Sequence, residues 1–583
     1  MKWLLRSAAG AIYVFNSFDW LRRGETSLTR WLWMLSIVTF LASLVTLPFR
    51  QPVNDERINA LPRAVAAALL AAVAAAAFWL RFVDLSTVPL DVHGDFTSMG
   101  LGAREILEGR VTSLFGSGWA DLPWASYLQP AVTMKIFGDS LFGMNMEAVI
   151  AGTITVIGIY LLAVKLFENR TVALMAAGIS AIGYTDIHFS RVSAYIDPVP
   201  WIVFGLLFLF DGLKAGRPLP FGISGALLAV GFEMYYSGRL AAIVIVLLLV
   251  YLGVFHRRLL LGRWKGILVL LAAGILTLGP MLLFHLRYFH SFMDRTRQVY
   301  ALAPAGVAHL LNKYGTTSLA QMMVEQSWRS LLTFNYTPDS STQFGFGHPM
   351  VNPALAPLLL FGFAVGIRRL RQPGFALLVI WLASAVVFGS IFTVDAPFWP
   401  RLVIVLPAAA ILIAIGLERA LRAGLSLLKM RASPGLILLP SLAILAAVGH
   451  QNWRWYYHGS ESTFVSPMAW VSRLIASSPP GTGFCMLRGP LDLGDRVPQF
   501  LGKGHEMITV APEQAAEYKK RCAAERRVWI IIRPDHDELL AALNREWPNA
   551  RQERHDFPSG ETGPIFWYPP SGAGPSAPPP AGR

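Results

Sequence analysis

The sequence predicts a polytopic α-helical membrane protein of about 11–13 transmembrane helices, ending in a small soluble α/β domain. Three observations lead there. Of 583 residues, 54% are hydrophobic and 15% charged, against about 25% charged in a soluble globule. Apolar runs of the roughly 17–25 residues needed to cross a hydrocarbon core recur from residue 31 to residue 450. Beyond 450 they stop, and short strand-like and helix-like patterns replace them.

Twelve spans are expected, over 31–48, 64–83, 146–166, 171–187, 196–213, 219–237, 239–255, 266–284, 353–367, 374–393, 401–418 and 434–450. Cations gather in alternate short loops, at Lys165 and Arg170, at Lys214 and Arg217, around Arg257 to Lys265, at Arg368 to Arg371 and at Arg419 to Arg431. That side is expected to be cytoplasmic, with the chain residing in the inner or plasma membrane. The outer side then receives the long loops 84–145 and 285–352 and everything after 450. The net charge of +14 follows from this loop bias, and no basic stripe or motif for nucleic acid accompanies it.

Four regions are expected. Residues 1–63 carry an extra span preceded by an interfacial helix; Arg6 and Asn16 interrupt the apolar run of residues 1–16, which argues against a cleaved signal. Residues 64–450 form the transmembrane domain. Residues 451–570 form an extracytoplasmic α/β domain, with strands near 483–489 and 528–534 and helices near 467–477 and 536–547. It holds both cysteines, Cys485 and Cys522, which suit a single disulfide and no zinc pattern. Residues 571–583, built of Pro, Gly, Ser and Ala, are expected to be disordered.

Ionisable residues at the membrane surface are functional candidates by default. Asp91, His93 and Asp95 follow a span and open a short helix. His188, Arg191 and Asp197 lie in a loop so short that all must stay near the surface, and Asp197 before Pro198 could instead cap a helix. Glu233, Tyr236 and Arg239 close a span on the same side, with Arg401 at another turn. Positive charge on the outer side runs against the topology rule, and guanidinium groups grip phosphate well, so Arg191, Arg239 and Arg401 are the expected phosphate contacts. An amphipathic helix at SLAQMMVEQSWRSLLTF would roof a lipid-facing site, and the loop after it offers Asp339 and His348 as acceptor contacts, with turn formation an equal reading for Asp339.

In order and in side, these motifs resemble the GT-C glycosyltransferases, close to the protein mannosyltransferase and aminoarabinose transferase group, family 39 with its RgtA/B/C/D-like relatives. The resemblance covers roughly residues 64–450. Asp95 stands at the first position of the family's acidic pair, Phe96 replaces the second acid, and Ala103-Arg104-Glu105 follows at the family's distance. Ser190-Arg191 with Asp197-Pro198 resembles the family's second acidic motif. The resemblance implies transfer of a sugar from a polyprenyl-phosphate donor to a lipid, glycan or protein acceptor on the outer face, by an inverting displacement. Asp95 would be the base, Asp197 would orient an Arg or the sugar, and Asp91, His93, His188, Glu233, Tyr236 and His348 would contact substrate. No cofactor is required by the resemblance; a divalent metal stays open without support, since Phe96 in place of the second acid removes the adjacent carboxylate pair.

Two other classes compete. A nucleotide-sugar enzyme would rely on Asp535-His536-Asp537, which reads better as a capping box with Glu538. A transporter or flippase would place charges at mid-membrane, whereas here the polar sites gather on one face; a GT-C-like scaffold without activity is the remaining alternative.

Overall fold

The computed structural model describes residues 2–45, 61–111, 113–341, 343–345, 347–459, 464–489, 491–511, 522, 527–532 and 535–569. Each of the twelve expected spans finds a helix or a pair of helices. Among the described residues, eight helices are long and apolar enough to cross a membrane, including Leu141–Phe167, Pro198–Ala215, Trp399–Leu427 and Pro434–Tyr457. Three shorter apolar helices, Arg170–Ile182, Pro218–Met234 and Ala356–Arg368, fill gaps between them. The ninth long span is broken, Trp264–Leu278 and Pro280–Arg287 meeting at 75°. Its hinge has a local cause. Pro280 has no N–H to give, Gly279 adopts a φ of 53°, and the Trp33 indole donates to the freed carbonyls of Leu276 and Thr277 at 3.1 and 3.0 Å. A Cβ at Gly279 would lie 2.4 Å from the Trp33 ring, so glycine is required twice over.

The span Trp399–Leu427 is the axis of the bundle, 94% of its apolar window buried. Small residues let neighbours close on it: a Cβ at Gly362 would meet Leu412 O at 1.9 Å, and one at Gly416 would meet Leu358 O at 2.1 Å. Peripheral helices instead turn apolar side chains outward, as Val246, Leu439 and Leu442 do, the pattern of a surface solvated by lipid.

The helix Lys2–Arg23 is the first arm of a hairpin with Ser27–Leu44. Ala9 packs with Phe40 and Leu44, and Trp20 packs beside Trp33, so the arms run antiparallel. Lys2 and Arg6 therefore lie at the opposite end of the hairpin from Arg22, Arg23 and Arg30. Glu25 in the turn accepts from Ser113 Oγ and Phe115 N at 2.7 and 2.8 Å, which ties the hairpin to the first long loop.

The membrane helix expected to end at 450 continues to Tyr457, and the α/β domain begins after it. Among the described residues its five strands are β1 (Gly483–Leu487), β2 (Met507–Val510), β3 (Arg527–Ile531), β4 (Arg551–Arg554) and β5 (Ile565–Tyr568), in the order β2-β1-β3-β5-β4. β1 runs parallel to β2 and β3, and β5 is antiparallel to β3 and β4. Cys485 and Cys522 are joined in a disulfide. The expected capping box at Asp535 is not formed: the helix Asp537–Glu546 starts after His536 without a side-chain cap. The expected disordered tail, 571–583, lies outside the described residues.

The domain is clamped onto the first long loop at two ends. Arg473 donates to the carbonyls of Ser86, Pro89 and Leu90. Arg104 forks onto Asp139 at 3.0 Å through both Nε and Nη2, and also reaches Gln499 O and Phe500 O. Close approach needs Gly100, whose Cβ would fall 2.3 Å from the Phe500 ring. Asp139 is partly buried, which pushes its carboxyl up, but the Arg104 and Lys503 cations outweigh this and hold it below the usual carboxylate range. Docking should therefore be complete above about pH 4, the ordinary Asp value, and weaken as pH falls below it toward the lowered native value. Thermal melting between pH 3 and 6 checks this: Asp139→Asn should flatten the acid limb, and an unchanged limb would overturn it.

Candidate functional site

The helix Gly94–Leu107 sits under the docked domain and begins with the expected acid. His93 caps it, its Nδ1 accepting from Asp95 N at 3.2 Å. Asp95 then projects its carboxylate to the Tyr195 hydroxyl, which donates to Oδ2 at 3.1 Å. Tyr195 is fully buried. Burial, and then the Asp95 charge, push its hydroxyl well above the ordinary tyrosine value, so it stays a proton donor to Asp95. The Asp95 side chain keeps 26% of its surface exposed, so a substrate can still reach it.

Tyr195 packs edge-on against Tyr235 at 5.1 Å, and Tyr235 forms part of the wall of a cavity of about 440 Å³. Three guanidinium groups line that cavity, Arg239, Arg295 and Arg401. Arg239 lies between the rings of Phe292, at 4.1 Å, and Tyr236, at 5.0 Å, and donates to Phe292 O at 2.9 Å. Arg401 lies over Phe398 at 4.6 Å and bonds to Val394 O. Two hydroxyls on the same wall, Tyr236 Oη and Ser237 Oγ, are buried without a hydrogen-bond partner among the described residues. Buried polar atoms are nearly always satisfied, so this pair marks a place where a polar ligand belongs. Much of the remaining lining is apolar, including Leu240, Ile243, Val299, Phe388 and Phe392. The wall at Val387–Ile391 is a π-helical turn, a local widening that frequently accompanies functional sites.

The roof is the helix Phe289–Val299, which carries Arg295. Ser291 donates to Asp121 of the first loop, and Val394 N donates to Val299 O at 2.8 Å. Behind it, His285 Nε2 donates to both oxygens of Glu233 at 3.1 Å, holding the lower arm of the broken span to the helix that ends at Met234. Between Asp95 and the cavity, Phe344 fills an aromatic cluster, 5.3 Å from Tyr195 and 5.5 Å from Phe398.

Of the expected residues, Asp95, Tyr236, Arg239 and Arg401 thus converge. Others do not. Arg191 is fully buried and spends its guanidinium on Val88 O, Leu80 O, Arg81 O and the Tyr457 hydroxyl, so it has no face left for phosphate. Asp91 accepts from Ser466 N and Oγ at 2.9 and 2.6 Å and serves domain docking instead of substrate. Asp197 is fully buried beside Glu147 and does not line the cavity. It stands at the N-cap of the helix Pro198–Ala215, with Pro198 at the first helical position as the capping reading expects, though its side chain makes no cap hydrogen bond. Glu233 is occupied by His285. His188 bonds to Tyr456 Oη at 3.3 Å, and His348 stacks on Trp455 at 3.9 Å, both outside the cavity lining. Asp339 follows the turn reading, accepting from Ser341 N and Trp399 N. The sequence reading missed Arg295 and Tyr195. Only an outer-side Arg on an amphipathic stretch could have signalled the first; nothing local signals the second.

Comparison with known proteins fits this geometry. Residues 122–284 match the family model described as dolichyl-phosphate-mannose-protein mannosyltransferase. The undecaprenyl phosphate-alpha-4-amino-4-deoxy-L-arabinose arabinosyl transferase of Pseudomonas aeruginosa PAO1 is 31% identical over 215 residues, 34% of this chain and 38% of that protein. The chain therefore aligns with under two fifths of that relative's length. ArnT from Cupriavidus metallidurans in the apo state superposes with a TM-score of 0.52 at 16% identity, covering 88% of this chain and 99% of that one. The same protein bound to undecaprenyl phosphate gives 0.50 at 14% identity, covering 88% and 100%. The chain has the GT-C glycosyltransferase fold and is similar in sequence to the protein mannosyltransferase and aminoarabinose transferase group.

Proposed function

We propose that this chain is a membrane glycosyltransferase that moves a sugar from a polyprenyl-phosphate donor to a lipid, glycan or protein acceptor on the extracytoplasmic face. The observation that carries the reading is the cavity's two-sided chemistry. Arg239, Arg295 and Arg401 with two unsatisfied hydroxyls suit a phosphate, while the apolar wall suits the first isoprene units. Asp95 stands across Tyr195 and Tyr235 from that phosphate site, where the acceptor hydroxyl would lose its proton. Attack on the anomeric carbon opposite the departing phosphate inverts it. Charge then grows on the phosphate oxygens, and guanidinium groups already in place stabilise it without reorganising.

Charge-assisted hydrogen bonds contribute roughly 1.5–3 kcal/mol each, so Arg401→Gln or Arg295→Gln should weaken binding of undecaprenyl phosphate about 10- to 100-fold. Titration of the purified protein measures it, and unchanged affinity in both variants would remove the cavity from the reading. Cysteines introduced beside Asp95 should react with an impermeant maleimide from the outer side; labelling from the cytoplasmic side would reverse the proposed orientation.

A further inference from the structure

A second cavity, of about 260 Å³, lies at the other end of the bundle, where the helices Leu141–Phe167, Pro198–Ala215 and Pro373–Val386 end or begin. Its lining divides sharply. Lys214, Arg263 and Gln372 supply polar side chains, and the rest is apolar or glycine, with Phe167, Phe210, Leu213 and Phe375 the largest surfaces. Arg263 is held in place by the backbone. Its Nε donates to Leu213 O at 3.2 Å, and its guanidinium lies against Gly216, where a Cβ would fall 2.5 Å from Nη1 and where φ is +70°. The Nη nitrogens make no protein hydrogen bond among the described residues. Lys214 donates to Lys165 O at 2.6 Å and is paired with Glu168 at 3.0 Å, both side chains of the pair being more than two fifths exposed; such exposed pairs contribute little and exchange readily. Next to the cavity, Leu261 and Trp264 point outward at 57% and 53% exposure, as anchors at a membrane interface do, and Arg257 and Arg258 add positive charge.

We propose that this cavity holds an anionic phospholipid of the adjoining leaflet, its phosphate on Arg263 and Lys214 and an acyl chain along Phe167, Phe210 and Phe375. A soluble anion of comparable size would need polar donors on most walls, and these walls have few. A zwitterionic lipid would bring a cation into a rim that is already positive. The site is independent of the transferase reading, since it shares no residue with the first cavity.

The test is native mass spectrometry of the full chain, released from detergent with phosphatidylglycerol, phosphatidylcholine or inorganic phosphate added. It is run in an Arg401→Gln background so that the other cationic cavity does not contribute. Phosphatidylglycerol should be retained at least 10-fold better than phosphatidylcholine, and Arg263→Gln should abolish that preference. Leu166→Trp, which fills the apolar part without touching the cations, should do the same, so a folding defect in the first variant leaves the test intact. Equal retention of the two lipids, or preference surviving both changes, would overturn the site. Displacement of phosphatidylglycerol by millimolar inorganic phosphate would make it a soluble-anion site and overturn the lipid assignment.

Discussion

Replacing Asp95 with Asn should lower kcat about 1,000-fold while leaving donor affinity within a few-fold of the native value. The size follows from the usual worth of a positioned general base, roughly 10²- to 10⁴-fold. The substitution is well suited to the question because an amide oxygen still accepts from Tyr195, as the carboxylate does at 3.1 Å, so the local packing survives while basicity is lost. Donor affinity is spared because the proposed phosphate contacts, Arg239, Arg295 and Arg401, are on other elements. Turnover of a radiolabelled undecaprenyl-phosphate sugar by purified protein measures the first number, and a titration of undecaprenyl phosphate measures the second. More than a tenth of native turnover would remove Asp95 as the base. Removing the Tyr195 hydroxyl should cost less, since it orients Asp95 and does not itself take the proton.

Much of the bundle was legible in the sequence because a span is a local property: a run of apolar residues states its own length. What escaped depended on distant partners. The helix Lys2–Arg23 contains Arg6, Asn16 and Asp19, which lower its hydropathy below that of a membrane helix. Its Ala9 nonetheless packs with Phe40, Leu44 and Ala273, residues distant in sequence. Strand β4 reads as plain polar sequence, Arg-Gln-Glu-Arg, because it lies at the sheet edge and is exposed. For the site, an acid opening an amphipathic helix was readable, and so were Arg239 and Arg401 as cations that run against the expected loop-charge bias. Arg191 satisfied the same rule for a different reason. Apart from the Tyr457 hydroxyl, its partners are backbone carbonyls of residues 80, 81 and 88, and a carbonyl leaves no trace in a side-chain pattern. Asp91 is a similar case, its partner Ser466 lying 375 residues further along the chain.

That difference makes Arg191 the sharpest mutational contrast with the phosphate cluster. Arg191→Ala should destabilise the protein by about 4 kcal/mol and leave donor affinity unchanged in the fraction that folds. Bonds from a charged donor contribute roughly 1.5–3 kcal/mol each, and the substitution strips the carbonyls of Leu80, Arg81 and Val88 of theirs. Part of the loss is returned, because the guanidinium itself no longer has to be desolvated. Stacking over Tyr457 at 5.1 Å and Tyr456 at 5.8 Å is lost as well. Arg191→Lys should recover little: a single ammonium on a flexible stem cannot serve Val88 O and Arg81 O at the same time, as the planar fork does. The damage should spread to activity only through position. Arg191 holds the segment that ends in Tyr195, so loosening it frees Tyr195 from Asp95 before any donor contact is touched. A melting temperature several degrees lower with an unaltered undecaprenyl phosphate affinity is the expected pair of results. A native melting temperature with affinity reduced 10-fold would return Arg191 to the phosphate site.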